Sequence, residues 1–156
     1  MLAELLFAIV QADTSNESLN MIHDSTFHIL VIWSMEKFHN NIYLVKFGNF
    51  FEHFTKHVSN NTLLNAIIKT GLLTDMANYF LYHIYGLSEQ AKFKTLFVPF
   101  FNDMVRAIAS VKNRKDCQFF STELRKSTNW KYLEEMSQYV FLNQGEKLYI
   151  DGADQR

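Results

Sequence analysis

The chain has 156 residues, 48% of them hydrophobic and 15% aromatic, and a formal net charge of −1. An apolar load of that size excludes an intrinsically disordered chain, and a near-neutral total gives no general attraction to nucleic acid or acidic lipid. Five glycines and one proline are too few to turn many hairpins, so the expected class is all-α.

The opening MLAELLFAIV has no basic residue, carries Glu4 and lacks a small-x-small cleavage pattern, so it reads as a core helix over 2–11 and not as a signal peptide. It has no capping residue before it, which suits a piece of a longer helical array. Asp13, Thr14, Ser15 and Asn16 break it, and a short helix follows over 17–22. Asp24 or Ser25 caps a helix over 26–38 that is apolar nearly all round and therefore buried. His39-Asn40-Asn41 then reads as a helix stop and Asn cap, the corner at which two apolar helices fold back on each other.

From about 41 to 58, Tyr43, Phe47, Phe50, Phe51, Phe54 and Val58 follow the i, i+3, i+4, i+7 pattern of one buried helix face. Ser59-Asn60-Asn61 stops that helix and caps the next, over 62–69, with Gly71 as its left-handed terminator. Thr74 and Asp75 open a helix over 75–85 that Gly86 closes. Pro99 excludes an unbroken straight helix through 87–112 and is expected to begin a new one running to about 112. A polar connection leads to 117–126, Ser127 or Thr128 caps a helix over 129–143, and the rest reads as a terminator and tail. The expectation is a single helical-repeat domain over 1–150 with a tail at 151–156. Seven to eight helices in antiparallel pairs would form a HEAT/armadillo-like α-solenoid fragment.

Charge is unevenly placed. Residues 1–36 hold Glu4, Asp13, Glu17, Asp24 and Glu36 with no Lys or Arg, whereas 112–132 hold Lys112, Arg114, Lys115, Arg125, Lys126 and Lys131 against Asp116 and Glu123. Such runs are usually solvated helix faces; read functionally, the second is a basic ridge for an acidic partner. Cys117 is the single cysteine, so no internal disulfide can form, which suits a cytoplasmic or nuclear setting. It reads as a small packed residue, with a nucleophile as the alternative should a histidine stand beside it and Arg114 or Lys115 lower its pKa. His53 and His57 are four apart on one helix, the spacing that places two imidazoles on one face for a metal, although polar-face histidines share it and no third ligand is near in sequence. Tyr79, Tyr82 and Tyr85 recur at three-residue intervals, a stripe suited to packing or to an interface. No nucleotide loop or nucleophile elbow occurs, and no apolar run reaches the roughly 18–20 residues a membrane span requires.

Four segments stand in a suggestive order: Trp33 to Asn41 (WSMEKFHNN), then LLNAIIKTGLLTDMANYF, then FFNDMVRAIASVKN, then the capped NWKYLEEMSQYVFLNQ. This order resembles the C-terminal part of the SAPS domain, which defines the regulatory subunits of protein phosphatase 6. The matched features are Asn40-Asn41, Leu72-Leu73, Met104 to Val111, and Trp130 with Glu134-Glu135 and Asn143. The regulatory subunit 3 of protein phosphatase 4 is similar in style. The resemblance implies a non-catalytic scaffold that binds a type-2A-like serine/threonine phosphatase and needs no cofactor, catalytic residue or resident metal. Its partner-binding candidates are the corner His39, Asn40, Asn41 and the basic Arg114, Lys115, Arg125 and Lys126. Two competing readings are a metal-binding or enzymatic helical bundle centred on His53 and His57, and a self-associating helical fragment.

Overall fold

Apolar residues at helical spacing wind the chain into helices whose stripes meet in one core. A computed structural model describes residues 2–36, 41–79 and 91–138. The expectations for the corner residues His39 and Asn40, for 80–90 and for everything from 139 onward lie outside these residues. In chain order the helices are α1 (Leu2–Ala12), α2 (Glu17–Asn20), α3 (Asp24–Glu36), α4 (Asn41–His57), α5 (Asn60–Leu64), α6 (Leu72–Tyr79), α7 (Ala91–Ser110), α8 (Gln118–Lys126) and helical residues 128–138, termed α9. No strand occurs among the described residues.

Local chemistry explains the breaks. Asp13 ends α1 and organises α2: one carboxylate oxygen accepts from Ser15 N–H at 2.9 Å and Ser15 Oγ at 2.6 Å, the other from Ser18 N–H at 2.8 Å and Ser18 Oγ at 2.7 Å. These hydrogen bonds stabilise the charged form, so the Asp13 carboxyl titrates well below the usual carboxylate range. After α5 the helix widens to a π turn over Asn65–Lys69, and the Thr70 amide donates to the Asn65 carbonyl at 3.1 Å. Gly71 then takes φ +81° and terminates the run, as its position in the sequence indicated.

Several boundaries differ from expectation, and α3 and α5 each start two residues early, at Asp24 and Asn60. α6 starts at Leu72, ahead of Thr74 and Asp75, because the Gly71 carbonyl accepts from both Thr74 and Asp75 amides and so sets the first turn earlier. α7 runs unbroken from Ala91 to Ser110, straight through Pro99. Proline there removes one backbone donor at a cost of about 3 kcal/mol. Burial of Phe100, Phe101, Met104, Val105 and Ile108 in the second half of α7 offsets that cost.

Three helices run the same way in one layer. Phe7 stacks on Phe50 at 4.8 Å and touches Tyr43 and Phe47, and Glu4 pairs with Lys46 at 2.9 Å, which sets α1 parallel to α4. On the far side of α4, Phe100 meets Phe47 at 6.0 Å, and Arg114, just beyond α7, reaches the carbonyls of Thr55 and Val58. α7 is therefore parallel to α4 as well. α3 returns antiparallel beneath α4: Phe27 stacks on Phe54 at 4.4 Å, and the Tyr43 hydroxyl donates to the Leu30 carbonyl at 3.0 Å. Burial also pushes the Tyr43 phenol up in pKa. α6 joins α3 through His28 Nε2 and Asp75 Oδ2, 2.7 Å apart. α9 closes against α7 through Ser137, whose hydroxyl donates to Asn102 Oδ1 at 2.9 Å, and against the turn after α7 through the Lys112–Glu134 pair. The centre of the molecule is aromatic: Phe27, Phe47, Phe50, Phe51, Phe54, Phe101, Phe120 and Trp130 are all essentially sealed from solvent.

Candidate functional site: a groove between two parallel helices

Neighbouring helices leave a groove where their facing side chains are short. Gly48 is that short residue on α4: a Cβ built there would lie 3.8 Å from the Phe100 ring, in ordinary contact, so the ring stops short of filling the space. The result is a groove of ≈ 600 Å³ between α4 and α7, within the range that binds ligands or peptide side chains. Leu44, Phe51, Phe100 and Met104 form its buried floor, while Val45 and Ala107 line its walls. Glu52 and Lys56 stand on one rim, 2.6 Å apart, and Asp103 and Arg106 on the other, 3.8 Å apart. Each rim carries one charge of each sign, so the groove has an apolar interior and no net field.

The basic ridge expected at 112–131 is divided by the fold. Arg114 turns inward: Nη1 donates to the Thr55 carbonyl at 2.7 Å, Nη2 to the Val58 carbonyl at 2.9 Å, and the same guanidinium pairs with Asp116 at 2.6 Å. It satisfies carbonyls left open at the C-terminal end of α4, a structural task. Lys112 lies over the Trp130 ring, 5.3 Å from its centroid, and pairs with Glu134. Lys126 bonds Glu123 at 2.6 Å on the same helix. Lys115, Arg125 and Lys131 are exposed. Phe119, also exposed, sits one turn before Glu123 and two turns before Lys126 on α8. Asn41 is the first residue of α4, the only part of the His39-Asn40-Asn41 corner inside the described residues.

Cys117 is fully buried. Burial pushes its thiol up, and the nearby Arg114 charge only partly opposes that. The neutral thiol therefore behaves as a packed side chain. Trp130 is buried and Trp33 is packed at the edge of the core. Of the tyrosine stripe, Tyr82 and Tyr85 fall outside the described residues. His53 and His57 are brought together, their ring centroids 4.5 Å apart, while no set of three His, Cys, Asp or Glu side chains among the described residues is placed to hold a metal.

The groove escaped the sequence reading because its walls come from helices about fifty positions apart. The one local signal was Gly48, a helix-breaking residue kept inside an otherwise strong helix and on the same side as Leu44 and Phe51. Comparison with protein-family models, with curated proteins and with solved structures finds no match.

Proposed function

We propose that the chain is a non-catalytic binding module of α-solenoid type whose α4/α7 groove receives an amphipathic helix from a protein partner. The observation that carries this reading is the groove itself, an apolar trough flanked by two parallel helices. Such a trough accepts the i, i+3, i+4, i+7 face of a helix. Rims that are internally neutral favour an apolar stripe flanked by mixed charge over a strongly acidic or basic peptide. The solenoid reading is supported by the parallel run of α1, α4 and α7, since stacked helical repeats place equivalent helices in parallel. It is also supported by α1, where Leu2, Leu5 and Ile9 are 79%, 59% and 52% exposed on the side away from α4, as a further parallel helix would cover. The SAPS-like order of segments supplies the partner class, a type-2A-like serine/threonine phosphatase catalytic subunit.

Purified full chain is titrated against that catalytic subunit by calorimetry. Val45 is well exposed, so Val45→Glu is expected to fold normally and to weaken binding at least tenfold by placing a charge in the trough. Lys131→Glu, away from the groove lining, is the control expected to bind as the parent does. Absence of binding by the parent chain sinks the phosphatase assignment. Equal binding by parent and Val45→Glu moves the contact off the groove, and a matched loss in Lys115→Glu or Arg125→Glu would place it on the basic surface.

A further inference from the structure

Two imidazoles four residues apart on one helix are a bidentate donor set if neither is protonated or committed elsewhere. His53 and His57 stand at that spacing in the last turns of α4. Their ring centroids are 4.5 Å apart with an interplanar angle of 42°, so the two imidazoles are direct neighbours. His53 Nε2 is sealed from solvent and makes no hydrogen bond, which leaves a buried polar nitrogen without a partner. His57 is exposed, so a hydrated ion can reach it. The adjacent Lys56 ammonium, which would repel a cation, is turned to Glu52 at 2.6 Å.

The helix beneath the pair is held still. The Arg114 guanidinium binds the Thr55 and Val58 carbonyls, and the Val58 amide closes on Phe54 at 2.9 Å. A chelate on a rigid turn loses little freedom when it closes.

We propose that His53 and His57 form a two-imidazole site for a borderline divalent cation of the Zn²⁺/Cu²⁺ class, with water or a partner's side chain completing the coordination. Imidazole suits these ions, and among them Cu²⁺ binds most tightly to a given nitrogen set. Neither imidazole lines the groove, although both adjoin its Glu52/Lys56 rim, and metal binding is read without any partner present, so the two proposals fail separately.

The test is titration of the purified full chain with ZnCl₂ and with CuCl₂ in a non-coordinating buffer. One ion per chain is expected. His57→Ala and His53→Gln should each weaken it by on the order of 10²-fold, because a chelate becomes a single donor. His23→Ala should change nothing, since His23 Nδ1 already lies 2.8 Å from Ser25 Oγ. His57 is exposed, so its variant is expected to keep the parent's circular dichroism and metal-free melting temperature. Electron paramagnetic resonance of the Cu²⁺ form should show two nitrogens in the parent and one in His57→Ala. Unchanged affinity in His57→Ala, loss of the ion in His23→Ala, or no one-to-one binding by the parent would each overturn the proposal, the first two marking an adventitious ion only.

Discussion

Arg114 is the residue with the widest structural reach. It comes from the connection after α7 and holds two carbonyls near the end of α4, across more than fifty positions of chain. Hydrogen bonds from a charged group are worth about 1.5–3 kcal/mol each, and the pair is partly buried. Arg114→Ala should therefore destabilise by about 2–4 kcal/mol in urea unfolding. Arg114→Lys should recover only part, because an ammonium cannot reproduce the planar fork. His53 yields a second residue-scale prediction. Burial first, then His57 and Lys56, hold its pKa below the ordinary value of 6.5. The unfolded chain thus takes up the proton at a higher pH than the folded one. The stability that neutral His53 permits is full above about pH 6.5 and falls as pH drops below it. In unfolding free energy measured from pH 8 to pH 5, His53→Gln should flatten that decline. Cys117 belongs at this scale too: its buried, neutral thiol should resist iodoacetamide in the native chain and react only on unfolding.

At the scale of the element, α4 and α7 each keep a residue that works against helix formation. Gly48 costs α4 roughly 0.5–1 kcal/mol relative to alanine. A Cβ at that position would meet Phe100 only in ordinary contact, so Gly48→Ala should raise stability by about that amount while shallowing the groove. Stability gained together with partner affinity lost would show that the glycine is kept for the trough. Pro99 is the counterpart on α7. Restoring its amide in Pro99→Ala should raise the unfolding free energy by about 1–3 kcal/mol, read as a shifted denaturation midpoint. α7 shows why the proline was misleading in sequence: local propensity opposed the helix, and the tertiary burial of its second half outweighed it. Gly71 shows the reverse, since a left-handed terminator after a helical run is a local requirement that only glycine meets freely, and it was legible in the sequence.

The whole molecule is organised on the aromatic seam of α4, which touches α1, α3 and α7 at once. Phe50 stacks on Phe7 and packs against Phe27, Phe47 and Phe54. Phe50→Ala should cost about 3–5 kcal/mol, a large share of the roughly 5–15 kcal/mol that holds an ordinary domain folded. No helix among the described residues is long and apolar enough to cross a membrane. The sequence by itself determined the all-helical class, the buried face of α4, the Gly71 stop and the closeness of His53 to His57. These depend on spacings within a single helix or turn, where geometry follows from residue order. Only the tertiary structure decided that α1, α4 and α7 run parallel, that Arg114 faces inward while Lys115 and Arg125 stay exposed, and that an apolar trough opens beside Gly48. Each of these depends on which distant side chains meet, and periodicity carries the orientation of a stripe but not the identity of what covers it.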